Sequence, residues 1–353
     1  MKKIALIFGG NSSEYEVSLK SAASMLKAMS TLDYEVYKIA ISQSGRWYRV
    51  KSSPETISKD QWLEDLGTQE VFPYFHGKGF WLKESECFLK PDILFPILHG
   101  GTGEDGTLQG IFEMMSIPYV GCGIKASAVC MNKWMLHQFA ARINIKSTPT
   151  MLITSPNEKK IIEQFVEKIG FPLFVKPNEA GSSKGISQVM GISELSDALV
   201  EGFNYGNQVI LQKSVVGTEI GCAILGNEEL IVGECDEISL IEGFFDYTEK
   251  YQLVTAQIKV PATIQTEISD EIKRQAQSLY RLLGCKGLSR IDFFLTEAGE
   301  ILLNEVNTLP GFTSHSRYPK MLASVGIPYT EIIERLLILA EEAYDEKYIS
   351  TVS

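Results

Sequence analysis

Between Arg290 and Gly311 the chain reads R-I-D-F-F-L-T-E-A-G-E-I-L-L-N-E-V-N-T-L-P-G. Two runs rich in β-branched, aromatic and aliphatic residues flank Glu297-Ala298-Gly299, the pattern of a β-hairpin. With Ala298 and Gly299 as a two-residue loop, Arg290 falls opposite Asn307 and Asp292 opposite Glu305. Alternation along the strands then places all four side chains on one face. A guanidinium, two carboxylates and an amide are costly to bury together without a partner. Oxygen donors of this kind suit a hard divalent cation, Mg²⁺ in particular when it also carries nucleotide phosphates. The plain alternative is a solvated face with ordinary cross-strand salt bridges.

Three further segments carry chemical potential. Lys176–Gly185 (K-P-N-E-A-G-S-S-K-G) follows a strand pattern and is rich in glycine and hydroxyls. Its backbone N–H groups could cradle phosphate while the lysines supply charge, or it is a surface turn; it is not a Walker A loop. His99–Gly110 contains five glycines after a buried strand, where ligands of parallel sheets sit and where a backbone can approach a ligand closely. His99 itself reads equally as a hydrogen-bonded core residue, and Asp105 or Thr107 as a helix cap. Phe244–Tyr251 (F-F-D-Y-T-E-K-Y) mixes aromatics and charges without apolar periodicity, the composition of a loop that closes over a ligand or of a surface hairpin. Gly121–Ala126 matches the dinucleotide fingerprint only superficially. It lacks an acidic partner about 20 residues on and reads as a tight strand-to-helix turn.

The elements that must position these residues alternate strand and helix through the first third, which predicts a parallel α/β sheet. Strands are expected at Ile4–Phe8, Tyr34–Ser42, Ile93–Leu98 and Pro118–Val120. Helices are expected over Val17–Met29, Leu108–Met115 and, as one piece, Lys125–Ala141. Residues 45–88 read as hairpins and loops inserted at the periphery. Helices over Glu158–Lys168 and Glu194–Glu201 and strands at Pro172–Lys176 and Gln208–Leu211 make a small middle unit. The hairpin, a helix over Ile268–Leu283 and a closing helix over Thr330–Tyr344 belong to a third. The expected domains are 1–132, 133–219 and 220–353.

The 353 residues carry a formal net charge of −11, with mean hydropathy +0.01. An acidic chain argues against a nonspecific nucleic-acid footprint. Six scattered cysteines without CxxC spacing read as buried free thiols rather than structural zinc. The N-terminal apolar run is too short for a signal peptide, and nothing approaches the roughly 20 apolar residues of a membrane span. The expected compartment is the reducing cytoplasm, with no membrane partner.

Together the His99–Gly110 and Gly287–Gly311 segments match the two signatures of the D-alanine–D-alanine ligase family of the ATP-grasp superfamily, and the resemblance covers nearly the whole chain. Phe244–Tyr251 and Gly311–Pro319 (G-F-T-S-H-S-R-Y-P) are most similar to the VanG and VanC type, the D-alanine–D-serine ligases of vancomycin resistance. The resemblance implies a three-domain ATP-grasp fold: an N-terminal parallel-sheet α/β domain and two α+β subdomains holding ATP between them. Asp292, Glu305 and Asn307 would hold two Mg²⁺ ions, with Mn²⁺ as a substitute. For ATP, it implies contacts from Lys133, Lys176, Ser183, Gln212, Lys213, Val215, Glu219 and Lys250. Gln212 departs from the family's usual glutamate, which predicts weaker adenine selectivity. Glu14, Ser182 and Tyr251 match the family's triad tying lid to site. Glu14 would anchor the first substrate's ammonium, with His99 near its carboxylate, and Ser316 would hold the second carboxylate.

The chemistry this implies is activation of D-alanine as an acyl phosphate. A second amino acid's amine then attacks, with Arg290 and the Gly311 N–H at the oxyanion. Phe245 and Arg317 match the D-serine group, whereas D-alanine enzymes carry tyrosine and an apolar residue there. The expected acceptor is D-serine, with D-alanine as the alternative and D-lactate disfavoured by Lys250-Tyr251. The resemblance also suggests a homodimer serving peptidoglycan precursor synthesis.

Overall fold

The computed structural model describes residues 1–77, 79–181, 184–239 and 257–349. The chain opens with β1 (Lys2–Gly9), α1 (Tyr15–Met29), β2 (Tyr34–Ile41), β3 (Trp47–Val50), α2 (Pro54–Ser58), β4 (Gln69–Tyr74), β5 (Gly79–Leu82), β6 (Cys87–Leu89) and β7 (Ile93–Ile97). These seven strands form one sheet in the order β6-β5-β4-β3-β2-β1-β7. β2, β1 and β7 run parallel, as the strand–helix alternation predicts. β1 reads as an unbroken apolar run because it is covered on both faces. Ile4, Leu6 and Phe8 enter one core cluster, and Ala5 and Ile7 enter another.

Residues 45–88 do contain hairpins, but they are not a peripheral insertion. β3 to β6 continue the main sheet as an antiparallel meander. Their strands are three to six residues long, too short for buried Val71, Phe80 and Leu82 to mark a period. The strand expected at Pro118–Val120 reduces to one bridge between Leu94 and Tyr119.

α3 (Thr107–Met115) precedes α4 (Ile124–Met131) and α5 (Lys133–Arg142). The single helix expected over Lys125–Ala141 is broken at Asn132. Its side chain accepts from Met135 N at 2.9 Å, so Asn132 caps the second helix and leaves the first. Then follow β8 (Thr150–Ile153), α6 (Lys159–Ile169), β9 (Leu173–Pro177), β10 (Ser187–Val189), α7 (Ile192–Phe203) and β11 (Val209–Lys213). Their four strands form an antiparallel sheet in the order β10-β9-β11-β8.

The last unit comprises β12 (Gly217–Gly226), β13 (Leu230–Val232), β14 (Asp236–Ser239), β15 (Gln257–Lys259), α8 (Thr266–Leu283), β16 (Leu288–Thr296), β17 (Ile301–Asn307), α9 (Arg317–Ala323) and α10 (Tyr329–Ile349). Its sheet runs β15-β14-β12-β16-β17, with β13 also paired to β12. One face packs under α4, α5 and α8, where Ala126, Leu136 and Leu279 meet Ile220, Ile291 and Phe293. The closing helix α10 returns to the first sheet, burying Ile332, Ile333 and Leu336 in the cluster that holds Ile4 and Leu6. Among the described residues no helix is long and apolar enough to cross a membrane. Five cysteines are buried free thiols as expected, whereas Cys87 is exposed.

Candidate active site

The β16–β17 hairpin has the expected register at the site: Arg290 pairs with Asn307 and Asp292 with Glu305. It reaches that register by another route. The loop has three residues, closed by Thr296 N to Glu300 O at 3.0 Å and Gly299 N to Thr296 O at 2.9 Å. Gly299 sits at φ +78°, as such loops require. Nearer the site, Phe293 pairs with Leu303 while Asp292 pairs with Glu305, so a β-bulge leaves Asn304 as the extra residue and restores the phase.

The four polar groups meet. Arg290 donates to Asp292 through Nε to Oδ1 at 2.9 Å and Nη2 to Oδ2 at 2.8 Å. Asn307 Nδ2 lies 2.9 Å from Asp292 Oδ2 and 3.5 Å from Glu305 Oε1. An N–H donor therefore stands between the two carboxylates, where a cation shared by them would sit. Turning the Asn307 amide over directs its Oδ1 to the same point. The donor set, all oxygen, fits Mg²⁺. Among the described residues no group of three or more His, Cys, Asp or Glu side chains forms a metal cluster; here the third donor is an amide.

Arg317 is 7% exposed, with its guanidinium held by carboxylates. Its Nε and Nη2 donate to Asp236 at 2.7 and 2.8 Å, Nη1 donates to Glu219 Oε1 at 2.8 Å, and Nη2 lies 3.4 Å from Asp292 Oδ1. Gly221 makes room for this cluster: a Cβ there would fall 2.4 Å from Asp236 Oδ1 and 2.5 Å from Arg317 Nη2. Burial raises the Glu219 carboxyl above its ordinary range, and Asp292 and Glu305 push the same way against Arg317. Asp236, which no sequence pattern singled out, is thus the anchor of Arg317.

The lysines expected at phosphates lie on facing elements. Lys133, at the start of α5, donates to Ala180 O at 2.6 Å, and Asn132 Nδ2 donates to Glu179 at 2.6 Å. These contacts tie α5 to the loop after β9. Lys176 donates to Gln212 Oε1 at 2.7 Å, and Gln212 Nε2 reaches Thr150 Oγ1 at 3.3 Å. Desolvation first, then Lys133, lowers the Lys176 pKa to about 8. Lys213 instead sends its ammonium to the Ile169 carbonyl. With Val215 it lines a separate crevice that includes Ser147 and Leu302. Ser182, Ser183, Phe245, Lys250 and Tyr251, and the whole expected lid segment, lie outside the described residues.

A cavity of ≈ 380 Å³ gathers Glu14, His99, Lys133, Gly181, Arg290, Glu305, Asn307, Gly311, Ser316 and Arg317 along its lining. Residues from all three expected domains therefore converge. Both His99 ring nitrogens are engaged, Nδ1 with Leu309 O at 3.0 Å and Nε2 with Ser21 Oγ at 3.1 Å. A carbonyl only accepts, so Nδ1 carries the proton and Nε2 receives the Ser21 hydroxyl. Glu14 is buried against Gly100, where a Cβ would fall 2.5 Å from Glu14 Oε2. Ser316 Oγ accepts from Thr313 N at 3.0 Å and sits beside Gly311. Gly121, at φ +103°, makes the turn into α4, which suffices for the superficial dinucleotide motif.

Residues 3–122 match the family model described as D-ala D-ala ligase N-terminus, and residues 142–338 match D-ala D-ala ligase C-terminus. The chain is 56% identical to the vancomycin C-type resistance protein VanC2 of Enterococcus casseliflavus, over 97% of this chain and 99% of that one. It is 37% identical to a D-alanine–D-alanine ligase of Acetivibrio thermocellus, over 98% and 97%. The crystal structure of the VanG D-Ala:D-Ser ligase from Enterococcus faecalis superposes with a TM-score of 0.89 at 44% identity, over 96% of this chain and 99% of that one.

Proposed function

The chain belongs to the D-alanine–D-alanine ligase family, with the ATP-grasp fold, and on that premise we propose that it joins D-alanine to D-serine at the expense of ATP. The observation that carries the acceptor is likeness over nearly full length to VanC2 and to a D-Ala:D-Ser ligase, together with Arg317 in the lining of the substrate cavity. The reaction belongs to the cytoplasm, where ATP is, and supplies altered peptidoglycan precursors in vancomycin resistance.

A carboxylate is a poor acylating agent. The first D-alanine, its ammonium at Glu14, takes the γ-phosphoryl group from ATP and becomes an acyl phosphate as ADP is released. Lys133 and Lys176 offset charge on the transferring group. Magnesium, when held by Asp292, Glu305 and Asn307, supplies further charge neutralisation at the phosphates. The second substrate, its carboxylate at Ser316, attacks the acyl carbon through a neutral amine, and phosphate leaves. Arg290, through the Nη1 that takes no part in the Asp292 pairing, and the Gly311 N–H stabilise the oxyanion. Water must be kept from the acyl phosphate, and the family resemblance assigns that task to Lys250 and Tyr251.

One observation favours a second reading, plain D-alanine–D-alanine synthesis: Arg317 already makes four contacts to carboxylates. Purified protein supplied with ATP, Mg²⁺, D-alanine and a chosen acceptor distinguishes the two by product chromatography. Under equal competition the expected product is D-Ala-D-Ser, and a majority of D-Ala-D-Ala overturns the D-serine assignment.

A further inference from the structure

His137 lies on α5, behind the hairpin and away from the substrate cavity, and is 3% exposed. Its Nε2 stands 3.2 Å from the carbonyl oxygen of Asn304, the residue that the β-bulge leaves without a cross-strand partner. A carbonyl only accepts, so Nε2 carries the ring proton. Nδ1 is buried and has no hydrogen-bond partner among the described residues. A buried polar atom left unpaired is costly, so the ring is held in a tautomer that serves Asn304 alone. Burial also lowers the ring's pKa to about 4, which keeps it neutral and adds no charge near Lys133 and Lys176.

The bulge matters because it decides which way Glu305 points. Continued without it, the register of Phe293–Leu303 would set Asn304 opposite Asp292 and Glu305 opposite Ile291. A one-residue slip sends every later side chain to the other face, here the apolar core that holds Ile291 and Phe293.

We propose that His137 is a positioning residue for the cation site: its Nε2–H holds the Asn304 carbonyl and so pins the bulge that turns Glu305 toward Asp292. The inference rests on the reading of Asp292, Glu305 and Asn307 as cation ligands. His137→Leu removes the donor, whereas His137→Gln keeps an N–H at a similar reach.

The test is calorimetric binding of Mn²⁺ in the presence of ADP, without turnover. His137→Leu weakens Mn²⁺ binding on the order of ten-fold; His137→Gln restores most of it. The KM for D-alanine stays within about two-fold, as expected for a loss confined to the cation site. Equal weakening in both variants, or unchanged affinity in His137→Leu, overturns the role. Glu305→Gln is the control: if it weakens Mn²⁺ while His137→Leu does not, only the positioning role falls; if Glu305→Gln has no effect, the ligand reading falls with it. Should His137→Leu fail to fold, the ¹⁵N spectrum of wild-type protein decides. The expected signature is an Nε2-protonated ring with a bare Nδ1, and protonation at Nδ1 overturns the proposal.

Discussion

Arg317 and Asp236 face each other through two parallel hydrogen bonds, Nε to Oδ2 at 2.7 Å and Nη2 to Oδ1 at 2.8 Å, with 7% and 0% of their surfaces exposed. Glu219 and Asp292 flank the same guanidinium. Two guanidiniums, Arg317 and Arg290, thus share Glu219, Asp236 and Asp292 beneath the substrate cavity, and Asp236 and Asp292 are fully buried. Such a cluster is sensitive to the loss of Arg317, because Asp236 is then left buried without its paired cation.

Arg317→Leu is therefore expected to cost about 3–5 kcal/mol of stability, read as a fall in the urea midpoint. Adding Asp236→Leu to it removes one stranded carboxylate and is expected to recover about 1 kcal/mol or more, as coupled neighbours do. Folded Arg317→Leu protein is expected to lose discrimination against D-alanine as acceptor more than it loses ATP turnover. An unchanged product ratio would confine Arg317 to a structural role.

Much of this site is legible in the linear chain, and what is not has physical causes. The hairpin face was readable because alternation and an Ala298-Gly299 break constrain register strongly. The loop length and the bulge were not, since a three-residue loop plus one extra residue returns the same pairing as a two-residue loop. Asn132 carries the signature of a cap, but an apolar pattern that continues on both sides conceals the break. Arg317 reads as an acceptor-reading donor by resemblance. Its burial among Asp236, Glu219 and Asp292 depends on strand β14 lying beside β12, which no local pattern encodes. The meander β3–β6 is hidden by strands shorter than the window in which a period can be counted.

Gly100 has φ +69° and ψ 172°, a region open essentially to glycine alone. Gly100→Ala is expected to cost about 1–3 kcal/mol from that strain. It also pushes the Glu14 carboxylate from its place. The KM for the first D-alanine is expected to rise about ten-fold, the equivalent of roughly 1.4 kcal/mol, while ADP affinity is unchanged. Steady-state kinetics with calorimetry of ADP separates the two effects.

Lys176 is lowered to about 8 from an ordinary 10.5, by desolvation first and Lys133 second, against the pull of Glu305 and Glu219. Between those values the unfolded chain holds a proton that the folded chain does not. This group's contribution to stability therefore rises with pH across that window and is lost as pH falls through about 8. Nucleotide phosphates favour the charged ammonium instead. ADP binding at about pH 8.5 is expected to take up a proton, measured by calorimetry in buffers of different ionisation enthalpy. Lys176→Met is expected to abolish the uptake.

The most direct test follows the oxygen atoms. D-alanine labelled with ¹⁸O in its carboxylate is incubated with the protein, ATP, Mg²⁺ and D-serine, and the released phosphate is analysed by mass spectrometry. Activation of the carboxylate by phosphoryl transfer moves one labelled oxygen into phosphate for every dipeptide formed. Dipeptide accompanied by unlabelled phosphate would contradict it.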